Sequence, residues 1–246
     1  MNYLVTALAL RGFDYRETDQ IVRVFSRQMG KITLIACGVK KPKSSLRGLV
    51  QPFCFSEMYI RPSGEMFFLT QGRLLEFFPQ TRSELKKALE ALYIMELLDK
   101  ALGERDVNEE VFALTLQTLR FMESHKGSPL ILRFFELKLL EYLGYKPVLN
   151  RCSRCSKADN LVYFNPGAGG VLCSSCGETN SGRRVMAPTV AALGGMQRGQ
   201  LGMVARMVLS DPVQEEMERV LEGFLEYYLE SKNQVKTVIK ELKGYI

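Results

Sequence analysis

Two cysteine pairs constrain this chain more than any other feature. Cys152-x-x-Cys155 and Cys173-x-x-Cys176 are separated by the 17 residues Ser156 to Leu172, the spacing of a four-cysteine zinc site. Two residues between thiolates let one tight turn bring both sulfurs to a tetrahedral ion at about 2.3 Å, and the stretch between pairs then returns as a hairpin. Asn165-Pro166-Gly167-Ala168-Gly169-Gly170 supplies the turns for that return. Four sulfurs fill the coordination sphere and leave no place for an activated water, so the ion is expected to be structural. Four reduced thiols or an iron–sulfur cluster are the other readings of the pattern. Cys37 and Cys54 stand alone in apolar runs and read as buried packing.

Metal rather than disulfide follows from the compartment. Tyr3 to Leu10 is apolar but has no basic segment before it and is too short to span a bilayer, so it reads as a strand. No later segment has the roughly 18 uninterrupted apolar residues of a transmembrane helix. The expected location is cytoplasmic, where thiols stay reduced.

Up to about residue 78 the chain alternates short β-branched and aromatic runs with Gly, Pro and charged turns: Tyr3 to Leu10, Gln20 to Ser26, Lys31 to Cys37, Pro52 to Ile60 and Glu65 to Leu75. Five strands in this length predict a small barrel, of the OB type or SH3-like. At Pro79 the period changes. Leu85, Leu89, Leu92, Met95, Leu98 and Leu102 mark a helix. A second is capped by Asn108, and a third runs from Pro129 to Gly144. After the cysteine segment helices resume from Pro188, from Pro212 to Leu229 and from Lys232 to Leu242. Gly194-Gly195 weakens the first of these by about 2 kcal/mol relative to alanine and predicts a short or broken helix.

Charge is uneven. Residues 1–80 hold 11 Lys and Arg against 6 Asp and Glu, whereas 81–150 hold 10 against 11 and 151–246 hold 12 against 10. No acid lies between Asp19 and Glu57, while Arg23, Arg27, Lys31, Lys40, Lys41, Lys43 and Arg47 all do. A polyanion is the natural partner of such a run. The segment 38–52 sets four of these cations among Pro, Gly and Ser immediately after a strand, a loop suited to phosphates. Tyr15, Phe53 and Tyr59 are candidates to stack on bases. Asp14, Glu17 and Asp19 cluster in what reads as one solvated polar turn, and His125, the single histidine, reads as a surface residue at a helix end. The phosphate loop Gly-x-x-x-x-Gly-Lys-Ser/Thr and the dinucleotide motif Gly-x-Gly-x-x-Gly are both missing. These residues therefore read as a binding module and not an enzyme.

Taken together, the residues resemble the RecO family of bacterial recombination mediator and repair proteins. Arg11-Gly12-Phe13-Asp14-Tyr15-Arg16-Glu17-Thr18-Asp19 with Ile21 to Ser26 looks like the family's first two strands. Gly30-Lys31 and the stretch from Gly38 to Phe53 look like its most recognisable motif, and Leu132 to Leu140 with Leu143-Gly144-Tyr145 matches a third signature. The resemblance runs through the whole chain in order. It implies an α+β multidomain fold: a five-stranded OB-fold barrel (1–79), an α-helical domain (80–149 and 186–246) and a four-cysteine zinc insertion (150–185). It also implies binding of single- and double-stranded DNA, annealing of complementary strands, and loading of the RecA recombinase with RecR and RecF onto DNA coated by single-strand binding protein, in a bacterial cytoplasm. Lys40, Lys41, Lys43 and Arg47 occupy the matching basic loop. Arg133, with Lys138, falls in the motif proposed to receive the acidic tail of single-strand binding protein. The competing readings are a zinc-ribbon RNA-binding factor and a metal-dependent nuclease.

Overall fold

The computed structural model describes residues 2–125, 128–179 and 181–229. Within them the chain forms two compact units, 2–125 and 128–229. The helix expected from Lys232 to Leu242 lies outside the described residues.

The first unit begins with five strands: β1 (Tyr3–Tyr15), β2 (Asp19–Ser26), β3 (Gly30–Ala36), β4 (Phe55–Ser63) and β5 (Met66–Glu76). They close into a barrel in the order β1-β2-β3-β5-β4. All neighbours are antiparallel except β3 and β5, which run parallel where the barrel closes. This order is that of the OB-fold, and it settles the choice that strand number left open. Period-two alternation sends Val5 and Ala7, Val22 and Val24, Ile32 and Leu34, and Met58 and Ile60 inward, where each fully buried aliphatic chain contributes about 1.5–3 kcal/mol. Val39, Leu49 and Val50, from the long connection between β3 and β4, join the same core. The connection is thereby anchored by its own apolar residues. β1 is longer than expected, running through Asp14 to Tyr15, and Asp19 opens β2. The polar turn is reduced to residues 16–18 because Gly12 to Tyr15 pair with Asp19 to Val22.

Three helices complete this unit: α1 (Pro79–Ser83), α2 (Leu85–Ala101) and α3 (Glu109–Ser124). The Asn108 side chain accepts a hydrogen bond from the Val111 amide at 2.9 Å, the cap expected of it. Glu123 of α3 plays the same part for α1, accepting from the amides of Gln80 (2.9 Å) and Thr81 (2.8 Å). Phe112 of α3 meets Phe25 of β2 with ring centroids 5.4 Å apart, and Arg105, before α3, donates its amide to the Lys31 carbonyl at 2.8 Å.

The second unit contains α4 (Pro129–Tyr142), β6 (Leu161–Asn165), β7 (Gly170–Cys173), α5 (Ser174–Thr179), β8 (Arg183–Arg184), α6 (Ala187–Arg198), α7 (Leu201–Val204) and α8 (Asp211–Leu229). β6 is the middle strand of a small sheet between β7 and β8. Val213, Met217, Val220, Leu221, Phe224 and Leu225 form the buried stripe of α8, recurring every three or four residues. α6 continues through Gly194-Gly195, contrary to the short or broken helix expected. Burial of Ala192, Leu193 and Met196 on the same helix offsets the weak propensity of the glycines. No helix among the described residues is long and apolar enough to cross a membrane.

Candidate nucleic-acid interface and metal centre

The seven cations singled out between Asp19 and Glu57 fall into two groups. Arg23, Arg27 and Lys31 lie on or just after β2 and at the start of β3, and each meets carboxylates of the helices or their connection. Arg23 pairs with Asp99 at 3.0 Å and Arg27 with Glu109 at 3.2 Å. Lys31, only 7% exposed, donates to the Asp99 carbonyl at 2.7 Å and lies 3.9 Å from Glu104. The outer face of β2 and β3 is the face an OB-fold commonly offers to nucleic acid. Here Asp99 of α2, Glu104 of the connection and Glu109 of α3 meet these cations at its edge, burying Lys31 while the Arg23 and Arg27 side chains stay 40% and 44% exposed.

Lys40, Lys41, Lys43 and Arg47 lie together on the β3–β4 connection. Lys41, Lys43 and Arg47 are exposed, and among the described residues none of the three has a carboxylate within 4 Å, although Lys41 is near enough to Asp19 to help keep its carboxyl low. Lys40 pairs with Asp14 at 2.8 Å, and its ammonium, with Gln20, holds the Asp14 carboxyl below its ordinary range. Asp19 is buried and accepts from the Gly38 amide at 2.7 Å, which likewise keeps its carboxyl low. The Lys40 amide donates to the Thr18 carbonyl at 2.9 Å, and Arg47 Nη2 donates to the Lys40 carbonyl at 2.7 Å. Asp14 and Asp19, read from sequence as solvated, thus clip the basic segment to the β1–β2 turn. Spacing along the chain hid this, because the partners are about twenty residues apart and meet only when the barrel closes.

Of the proposed stacking aromatics, Phe53 is 3% exposed and therefore not available to a base. The Arg82 guanidinium carbon lies 3.9 Å from its ring centroid. Tyr59 is on the surface and Tyr15 is half-buried with Arg16 over its ring. Cys37 is exposed, in contrast to the buried packing expected; it falls just past the end of β3, where the strand's alternation no longer fixes its direction. Cys54 is buried, and burial pushes its thiol up despite the adjoining Arg82. His125 is exposed and stacks on Phe121.

Cys152, Cys155, Cys173 and Cys176 converge with all their sulfurs within 4.8 Å of one another. The Cys155 and Cys173 sulfurs are 3.7 Å apart, close to the roughly 3.8 Å edge of a tetrahedron with 2.3 Å bonds. Pairing of Leu161 with Cys173 places the second cysteine pair at the end of the β6–β7 hairpin. Within that hairpin the Asn165 side chain accepts from the Ala168 amide at 3.0 Å, closing the expected turn. Gly170, at φ +153°, lies so near Val148 that a Cβ would come within 2.2 Å of its carbonyl oxygen. Burial raises the Cys152 thiol, but the amides of Cys155, Cys173 and Arg154 outweigh it and lower the group to about 6. Cys176 is pushed up to about 12 by hydrogen bonds to the neighbouring sulfurs of Cys173 and Cys155. A soft donor set, crowded sulfurs and amides aimed at one of them suit a thiolate-binding cation.

Arg133 and Lys138 are both on α4. Arg133 is 7% exposed and pairs with Glu136 at 3.0 Å and Glu218 of α8 at 4.0 Å. Lys138 pairs with Glu141 at 3.0 Å and donates to the Gln197 carbonyl at 2.7 Å.

Comparison with known proteins decides the family. Residues 1–78 match the family described as Recombination protein O N terminal, and residues 82–236 match Recombination protein O C terminal. The chain belongs to the RecO family. It is 40% identical over 238 residues to DNA repair protein RecO of Syntrophomonas wolfei, covering 96% of this chain and 95% of that one. It is 37% identical to the protein of the same name from Desulforamulus reducens, covering 94% and 91%, and 31% identical to that of Bacillus pumilus, covering 96% of each. RecO is a DNA repair family, and the zinc-ribbon RNA-binding reading is not favoured. The OB-fold barrel, the helical region after it and the cysteine cluster agree with what the resemblance implied.

Proposed function

We propose that this chain is a non-catalytic DNA-annealing protein and recombination mediator that binds single- and double-stranded DNA. The observation that carries the reading is the basic segment of a RecO-family barrel, clipped by Asp14 and Asp19 and carrying Lys41, Lys43 and Arg47 exposed on one connection. Annealing needs strands whose charge is neutralised while their bases stay free to pair. Cations presented on an ordered segment supply this through counterion release, without reading base edges. Arg23, Arg27 and Lys31 are paired with carboxylates of the helices and their connection, so the first phosphate contacts fall to the exposed Lys41, Lys43 and Arg47, with Lys40 and the exposed Arg23 and Arg27 joining where DNA displaces their carboxylates.

Zinc is the ion we assign to Cys152, Cys155, Cys173 and Cys176. A four-sulfur set closes its sphere, so its part is to hold the β6–β7 hairpin and α5 in place. RecR and RecF are the partners with which the protein loads RecA onto DNA coated by single-strand binding protein, in the bacterial cytoplasm. An acidic tail of the single-strand binding protein that reached α4 would compete with Glu136 and Glu218 for Arg133 and with Glu141 for Lys138.

Annealing of complementary strands, bare and precoated with single-strand binding protein, with and without RecR, tests the proposal. ATP-independent annealing that fades as salt rises is the expected result. Folded protein that anneals nothing at low salt would overturn it.

A further inference from the structure

At the end of the basic segment, Arg82 of α1 is clamped between two phenylalanines. Its guanidinium carbon is 3.9 Å from the Phe53 ring centroid and 4.2 Å from that of Phe77. Arg82 Nη2 donates to the Pro52 carbonyl at 2.6 Å and contacts the Cys54 sulfur at 3.2 Å, while Nε donates to the Phe77 carbonyl at 2.7 Å. Phe53 and Phe78 both adopt the left-handed backbone, φ +52° and +57°, a conformation that bulky side chains rarely take. Both are buried at 3% exposure, whereas Phe77, between β5 and α1, is 41% exposed. The chain tolerates left-handed backbone at Phe53 and Phe78 and leaves the Phe77 ring partly exposed with the Arg82 guanidinium against it.

This ring adjoins the basic segment through a short chain of contacts. The Gln51 side chain reaches the Arg47 carbonyl at 3.5 Å, Pro52 follows, and Pro52 is bound by the arginine beneath Phe77. Acids on the neighbouring elements are engaged elsewhere. Glu76 pairs with Arg120, Glu84 with Lys87 at 2.8 Å, and Glu123 caps α1. Phosphates held by Arg47 and its neighbours would meet no unpaired carboxylate here among these three.

We infer that Phe77 is a base-stacking platform for single-stranded DNA, linked through Arg82 and Pro52 to the end of the phosphate-binding segment and backed by the Arg82 guanidinium. The inference rests on the DNA-binding reading above and deepens it by adding a contact to bases. An aromatic face accepts any base, so the contact is sequence-tolerant, and a guanidinium stacked on the opposite face fixes the ring before DNA arrives. Paired bases in a duplex are stacked on each other and do not reach the ring. Phe77 therefore favours single strands over duplex and leaves the Watson–Crick edges of the stacked base exposed for annealing.

The chain has no tryptophan, so Phe77→Trp introduces a unique fluorophore at the site. Titration of that variant with oligo(dT) should quench its emission at the concentrations that saturate binding, with affinity at least equal to wild type. Phe77→Ala should weaken oligo(dT) binding about 5- to 150-fold, with the slope of log K against log salt unchanged and duplex affinity unchanged. Phe77→Leu, which keeps apolar bulk without a π-face and guards against misfolding, should behave like Phe77→Ala. Unquenched Phe77→Trp, or a folded Phe77→Leu that binds oligo(dT) like wild type, would overturn the inference while leaving the basic segment's role intact. Wild-type protein that binds no single strand at low salt would overturn both.

Discussion

Replacing Lys40, Lys41, Lys43 and Arg47 together by alanine should lower the salt dependence of single-strand binding by an amount the structure sets. Lys41, Lys43 and Arg47 have no carboxylate within 4 Å among the described residues, so each is available to one phosphate. At about 0.7 per contact, the slope of log K against log salt should fall by about 2.1 from these three. Lys40 is already paired with Asp14 at 2.8 Å. It adds the remaining 0.7 only if DNA displaces that carboxylate, so the loss lies between about 2.1 and 2.8. Between about 50 and 200 mM salt, the variant should therefore lose roughly 20- to 50-fold less affinity than wild type does. Fluorescence anisotropy of labelled oligo(dT) at several salt concentrations measures the slope, and circular dichroism verifies the fold. A folded variant with the wild-type slope would refute the assignment. A slope of about 0.7 or more remaining in the variant would show that DNA also draws on other cations, Arg23, Arg27 and Lys31 among them.

Three further outcomes follow from the packing. Chelation, or Cys152→Ala, should unfold the β6–β7 segment and lower the melting temperature, because binding and folding are coupled at a four-sulfur site; a metal-free protein with unchanged stability would contradict this. Glu123 is held below its ordinary range: burial raises its carboxyl, but the amides of Gln80 and Thr81 outweigh it. Its contribution to stability is therefore complete above about pH 4.5 and lost as pH falls through the lower folded value, so Glu123→Gln should cost about 1–2 kcal/mol at pH 7 in urea unfolding and flatten the acid limb. Arg133→Met should cost about 3–5 kcal/mol, because Glu136, fully buried, loses its cation at 3.0 Å; a loss below about 1 kcal/mol would show that the pair is not an energetic unit.

Much of the site could be read before folding. Cys-x-x-Cys spacing encodes a chelate because the geometry is local to each turn, and Asn108 and Pro129 mark helix starts by equally local rules. Phe53 could not be read this way. Its apolar run is compatible with an inward or an outward ring, and the left-handed backbone that buries it under Arg82 depends on residues nearly thirty positions away. Gly194-Gly195 misled in the opposite direction, since intrinsic propensity omits the burial that keeps α6 continuous.

Composition and local pattern alone thus determined a basic five-stranded unit, amphipathic helices and a four-sulfur chelate, all properties of neighbouring residues or of charge averaged over segments. Which cations remain available was decided only in three dimensions. Asp99, Glu104 and Glu109 close on Arg23, Lys31 and Arg27 across the barrel surface, while Asp14 takes Lys40 and Asp19 anchors Gly38, leaving Lys41, Lys43 and Arg47 exposed. Electrostatic pairing depends on distance in space, and separation along the chain carries almost no record of it.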